Sequence, residues 1–345
     1  MKKLLLLCIV ISFVFLMIGC DDSSSSSAEI TKSSSWLCFT ANSAGVVIST
    51  EVVENGTLST PYPSLEYTTD GGKKWHEFKI EDTSVTLEKA GAKMYIRAID
   101  KNDAFSDADE SLNYRFISFT MTGSVAASGN VMSLVDKSCK SKVIPSRVCF
   151  SSLFDGCTGL TSAPILPATT LTYECYGGMF SNCTSLTKPP VLPASELAEG
   201  CYGQMFEGCT GLTTAPELKA VTLAKGCYTG MFINTGLTSA PELPAEAMVE
   251  ECYYGMFKNC PALVAAPELK ATNFATKCYS EMFMGCTSLN SITVHFTGWP
   301  DAGLHATDDW VKDITGTGAF NCPDGLAEEF GNNRIPTNFV KTPLP

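Results

Sequence analysis

"MFEGCTGLTTAPEL", residues 205–218, decides the fold, because the chain repeats it with variations. "MFSNCTSLTKPPVL" begins at Met179 and "MFMGCTSLNSITVH" at Met282. Alignment on the first two letters gives Leu153-Phe154, Met179-Phe180, Met205-Phe206, Met231-Phe232, Met256-Phe257 and Met282-Phe283, at steps of 26, 26, 26, 25 and 26 residues. The unit reads L-x-x-x-C-Y-x-x-M-F-x-x-C-T-x-L-T-x-A-P-x-L-x-A. Six copies at one period mark a repeat architecture rather than a chance of composition.

Within a unit, Leu171, Cys175, Met179 and Cys183 recur every four residues, with Tyr176 and Phe180 beside two of them. That apolar stripe predicts a helix, and the column of Leu171 stays large and apolar in Leu197, Leu223, Met248 and Phe274. The T-x-L-T-x-A-P-x-L run that follows predicts an extended strand, with Pro stopping the helix. One helix and one strand cannot bury their own stripe, so the copies are expected to stack as a solenoid. Met179, Phe180, Met205, Phe206, Met231, Phe232, Met256, Phe257, Met282 and Phe283 are then core. Burial of each such side chain contributes about 1.5–3 kcal/mol.

The pattern "CYxxMFxxCTSLTxAPxLP" resembles the BspA-like leucine-rich-repeat surface proteins, closely from Cys149 to about Val294 and more loosely over 119–134 and 316–336. The resemblance implies an α/β leucine-rich-repeat solenoid of about six 26-residue units, on a secreted or surface-anchored protein associated with adhesion and protein interaction. The expected division is 1–19 leader, 20–35 anchor and tether, 36–137 small all-β Ig-like sandwich, 138–298 solenoid and 299–345 C-terminal cap.

Lys2 and Lys3, the apolar run Leu4–Ile18 and "MIGC" resemble a bacterial lipoprotein signal peptide. The resemblance implies acylation of Cys20 and membrane attachment through that lipid, followed by the flexible tether "DDSSSSSA". Acidic residues directly after Cys20 resemble the surface-export signal of Bacteroidetes lipoproteins, which implies an outer-membrane, surface-exposed location, whereas in enterobacteria an Asp there implies inner-membrane retention, so sidedness stays open.

Between Trp36 and about Asp136, "WLCFTA", "VVIST", "SLEYTT", "KWHEFKI", "SVTLEK", "KMYIRAI" and "YRFISFTMTG" alternate with Gly, Asn, Asp and Ser, the texture of an antiparallel sandwich. "TTDGGKKW" (68–75) resembles the Asp-box hairpin of sialidase propellers, and a single copy implies only a hairpin. "DKNDAFSDADES" (100–111) lacks the Gly and Glu that a calcium loop needs, and reads as a solvated loop. "DDWVKDI" suggests a short Asp-capped helix in the cap, with Trp299 and Trp310 as the lid's core and "GTGAFNCP" and "RIPTNFV" as closing strands.

Sixteen cysteines include two array columns: Cys149, Cys175, Cys201, Cys227, Cys252 and Cys278, then Cys157, Cys183, Cys209, Cys260 and Cys286. An exported protein invites disulfides. Unit four, "MFINTGL", lacks the second Cys while keeping Cys227, which favours ladders of buried thiols over obligatory bridges. No Cys/His spacing suits a metal.

The net charge of −12 disfavours a nucleic-acid partner. Three histidines fall in no catalytic motif, and no phosphate or dinucleotide fingerprint appears, so neither an enzyme nor a cofactor is expected. Binding would fall to the variable letters. The x of P-x-L reads Ile165, Val191, Glu217, Glu242 and Glu268, with Lys219 and Lys270 nearby. Parallel stacking would set the three carboxylates about 4.8 Å apart, an acidic stripe for a basic partner. The expectation is a monomeric, non-enzymatic adhesion or protein-interaction module, with glycan capture in polysaccharide uptake as the alternative.

Overall fold

The computed structural model describes residues 36–111 and 113–344. Cys20, the leader and the 20–35 tether lie outside the described residues. Among the described residues there are fourteen strands and two short 3-10 helices, Val131–Leu134 and Ala302–Leu304, but no α-helix. The fold is nearly all β with a β-solenoid, which overturns the α/β leucine-rich-repeat expectation.

Nine strands occupy the first hundred described residues: β1 (Leu37–Ala41), β2 (Val46–Asn55), β3 (Leu65–Thr68), β4 (His76–Phe78), β5 (Val85–Leu87), β6 (Lys93–Ala98), β7 (Asp107–Ala108), β8 (Tyr114–Thr122) and β9 (Val125–Ser128). Alternation places Val46, Ile48 and Thr50 of β2 inward, as a sheet with one buried face requires. One sheet runs β5-β2-β8-β7; the other runs β4-β3-β6-β1-β9 and then takes β10 (Leu160–Ser162), contributed by the first repeat. β10 lies parallel to β9, so the sandwich and the array share a sheet. In the β3–β4 turn, Asp70 accepts N–H bonds from Lys73 (2.9 Å) and Lys74 (3.0 Å), and Gly71 and Gly72 take positive φ.

The expected helix is a ribbon of four-residue turns. In unit two, Glu174, Gly178 and Asn182 have φ of 46°, 58° and 58°, so every fourth residue is left-handed. The N–H groups of Cys175, Gly177, Met179, Ser181 and Cys183 donate to the carbonyl three residues back, at 2.9–3.3 Å. The alternate N–H groups, of Glu174, Tyr176, Gly178, Phe180 and Asn182, donate to Glu199, Cys201, Gly203, Met205 and Glu207 of the next coil, at 2.7–3.1 Å. Backbone groups that a helix would pair internally are thus divided between the coil and its neighbour, and all of these donors are satisfied. Side chains follow the same beat. Cys175-Tyr176 and Met179-Phe180 point in, while Gly177-Gly178 and Ser181-Asn182 point out.

Inward pairs stack on their counterparts. Phe154, Phe180, Phe206, Phe232, Phe257 and Phe283 form a column with centroids 5.5–5.8 Å apart and ring planes within 13°. Tyr176, Tyr202, Tyr228, Tyr253 and Tyr279 form a second, at 5.9–6.1 Å. The Phe column continues into the sandwich, where Phe119 stacks on Phe154 at 5.8 Å and meets Phe39 at 5.0 Å. One core cluster therefore runs from Leu37 to Phe339.

The cap also departs from expectation. "DDWVKDI" is no helix but a further coil: His305, Asp309 and Asp313 are left-handed, and Tyr279, Phe283 and Gly285 donate to its Ala306, Trp310 and Lys312 carbonyls. Trp310, wholly buried, ends the Phe column against Phe283 at 6.2 Å, and the partly buried Trp299 packs on it at 6.3 Å. β11 (Ala265–Leu269), β12 (Ser291–Val294), β13 (Gly318–Cys322) and β14 (Phe339–Pro343) close this end as a parallel sheet in chain order. In the edge strand, Pro343 has no N–H and that of Phe339 is already bonded to Pro336, which leaves little for another chain to pair with.

Candidate functional site

The Cys, Met and Phe columns of the array are spent on the interior. Met179, Phe180, Met205, Phe206, Met231, Phe232, Met256, Phe257, Met282 and Phe283 have no accessible surface. The array cysteines follow them inside: all eleven of the two columns are buried free thiols. In the second column, Cys183, Cys209, Cys260 and Cys286 donate S–H bonds at 3.0–3.1 Å to the carbonyls of Phe154, Phe180, Phe232 and Phe257. Burial pushes the Cys175, Cys209 and Cys227 thiols up to about 12, so these groups are packing elements rather than nucleophiles. No cluster of three or more His, Cys, Asp or Glu suited to a metal occurs among the described residues.

The outward x column of P-x-L forms a ridge along the solenoid. Ile165 is 60% exposed and Val191 73% exposed, and Glu217, Glu242 and Glu268 follow, all exposed. The ridge is thus apolar near the sandwich and acidic toward the cap. Buried leucines hold it in register, since Leu166, Leu192, Leu218, Leu243 and Leu269 each follow the ridge residue and point inward.

The carboxylates do not form the uniform strand ladder that simple stacking suggests. Glu268 alone of the three lies in a strand, β11, opposite Thr293 of β12. Glu217 and Glu242 lie outside any strand. Repulsion along the row is relieved locally, because Glu217 pairs with Lys219 at 3.3 Å and Glu268 meets His295 Nε2 at 2.6 Å. Lys270 is half-buried beside β11. A shallow groove of about 640 Å³ opens between the third and fourth P-x-L segments, lined by Pro216, Glu217, Lys219, Pro241, Glu242 and Pro244. Glu242 makes no ion pair among the described residues, so its charge faces the groove's solvent.

His295 escaped the sequence reading because "SITVH" abandons the P-x-L letters, and no repeat column points to it. In the sandwich, Trp75 beside the β3–β4 turn is occupied structurally: the Arg97 guanidinium lies 3.7 Å from its ring and 4.2 Å from Trp36, and pairs with Glu66 at 2.7 Å. No family model, curated protein or solved structure matches this chain.

Proposed function

We propose that the protein is a non-enzymatic binding module of the cell envelope, held by lipid on Cys20, which captures a protein partner on the ridge of its solenoid. The reading rests on one observation: the same outward column carries Ile165 and Val191 at one end and Glu217, Glu242 and Glu268 at the other. Exposed apolar residues in a row mark contact surfaces more often than scattered ones do. Carboxylates beside them steer a basic patch and fix its orientation. The partner this face fits has an apolar patch flanked by Lys or Arg.

The test uses the tagged soluble chain from Asp21 on a combined array of extracellular-matrix proteins, host-surface proteins and glycans. Binding to a protein, weakened by salt and by Glu217→Lys, Glu242→Lys and Glu268→Lys together, supports the ridge. Capture confined to glycans, or capture indifferent to the triple reversal and to Val191→Asp, overturns it.

A further inference from the structure

Away from the ridge, the outward pairs of the turn ribbon bear a second relief, whose lining shares no residue with the ridge groove. The first member of the central pair reads Ser151, Gly177, Gly203, Thr229, Tyr254 and Ser280 from the first unit to the sixth. Over the first four coils the column is small, and a groove of about 420 Å³ follows it, with Ser151, Gly177, Gly203 and Thr229 along its floor. Its walls carry Tyr173, Glu174, Glu199, Glu251, Gln204 and Lys225. Three carboxylates against one amine make the lining acidic; that amine is committed to Glu250 at 3.1 Å, and Glu251 to Lys277 at 3.5 Å, which leaves Glu174 and Glu199 without an ion pair among the described residues.

The floor is not dictated by backbone conformation. Gly177 and Gly203 have ordinary φ, unlike Gly178, Gly200 and Gly226 beside them. A Cβ on Gly203 would come within 3.3 Å of the Gly200 carbonyl, a tight contact but not a clash. The fifth coil holds a tyrosine at this position without disturbing the ribbon, for Gly230 N–H still bonds to the Tyr254 carbonyl at 2.8 Å. The fold therefore tolerates a filled column and leaves it open over four coils. At the sandwich end, Arg147 lies over the Tyr173 ring at 4.3 Å, and its Nε has no hydrogen-bond partner.

We infer that this groove is a second binding site, for an extended peptide segment bearing Lys or Arg, on a surface separate from the ridge. Coil steps of 5.5–5.8 Å carry the floor over about 17 Å, the reach of about five extended residues at ~3.3 Å each. Glycines on the floor let a peptide backbone lie close. Glu174 and Glu199 receive its cationic side chains, Glu251 being already paired with Lys277 at 3.5 Å. An acidic or neutral segment would leave those carboxylates desolvated and unpaired, which sets the sign of the selectivity.

The experiment titrates the soluble full chain from Asp21 with a fluorescent, end-capped Lys-Gly alternating octapeptide, with Glu-Gly and Ser-Gly octapeptides and a neutral β-glucan hexasaccharide as competitors. The Lys-Gly peptide is expected to bind at least tenfold tighter than either other peptide. Gly203→Tyr changes no charge and copies Tyr254, so it separates a shaped groove from the general attraction of an acidic protein. It is expected to weaken binding at least tenfold with an unshifted melting temperature. Glu174→Gln with Glu199→Gln should also weaken binding, whereas the ridge reversal at Glu217, Glu242 and Glu268 should leave it within threefold. Equal binding by wild type and a folded Gly203→Tyr overturns the groove and leaves the ridge untouched; so does displacement by the hexasaccharide but not by unlabelled Lys-Gly peptide. Should Gly203→Tyr melt early, Gly177→Ser, which copies Ser151, together with Gly203→Thr, which copies Thr229, gives the same reading with smaller side chains.

Discussion

The Thr235 hydroxyl donates to the Phe232 carbonyl at 2.9 Å and sits 3.2 Å from the Cys260 thiol. Coil four is one residue short and has no cysteine in the second column. Its hydroxyl turns onto the phenylalanine of its own coil, whereas the thiols of other coils reach back to the preceding one. The column thereby continues across the deletion. Thr235→Val keeps the shape and removes the donor, so it should cost about 1 kcal/mol in urea unfolding, with Thr235→Ser costing less. An unchanged midpoint for Thr235→Val would show that the hydroxyl adds nothing.

Gly255 distinguishes the ribbon from a helix by sign. In a helix, Gly→Ala stabilises by about 1 kcal/mol. Here Gly255 has φ of 58°, and the nearest atom to an added Cβ is Ile233 Cδ1 at 4.0 Å, so space is free and only the left-handed backbone objects. Gly255→Ala should therefore destabilise by about 1–2 kcal/mol. A stabilised variant would restore the helical reading.

Phe206 lies between Phe180 and Phe232 with no accessible surface. Phe206→Ala should cost about 3–5 kcal/mol, since the coils on either side are fixed by backbone bonds and cannot close over the gap. A loss below about 1 kcal/mol would remove the column from the account of stability.

The buried thiols set an alkaline limit. Burial raises Cys149, Cys157, Cys175, Cys209 and Cys227 to about 12 in the folded chain. In the unfolded chain they ionise near 8.5, so above that pH the unfolded state binds fewer protons and stability falls. Their contribution is complete below about pH 8.5 and is lost as pH rises toward about 12. With reductant present, the urea midpoint should hold from pH 6 to about 8 and decline steadily by about 10.5. A midpoint flat to that value would contradict thiol burial.

Much of this architecture is visible in the letters, and the errors have a single origin. The strands of the sandwich follow from alternation, as in Val46, Ile48 and Thr50. The period follows from the Met-Phe pairs. The ribbon was mistaken for a helix because apolar residues spaced by four, such as Cys175, Met179 and Cys183, suit 3.6 residues per turn almost as well as 4.0. The discriminating signal lay in the outward letters. Gly178, Asn182, Gly208, Gly230, Asn234, Gly255, Asn259 and Gly285 supply left-handed conformers at the same beat, in residue types a helix disfavours. In the last coil that beat survives in His305, Asp309 and Asp313, residue types that enter the left-handed region more readily than most. The ridge was legible as a column. The groove was not, because its floor shows only once Gly177 and Gly203 are known to face outward.

Sheet sharing between β9 and β10 gives the stack a beginning unlike any of its members, and Trp310 gives it an end that copies them imperfectly. Both terminal surfaces mate with an ordinary unit. Duplication or loss of one unit in the gene would thus preserve each junction and shift the distal end by one ring spacing, 5.5–5.8 Å. The length of the stack is in this way inherited, adjustable in whole increments without redesign at either extremity.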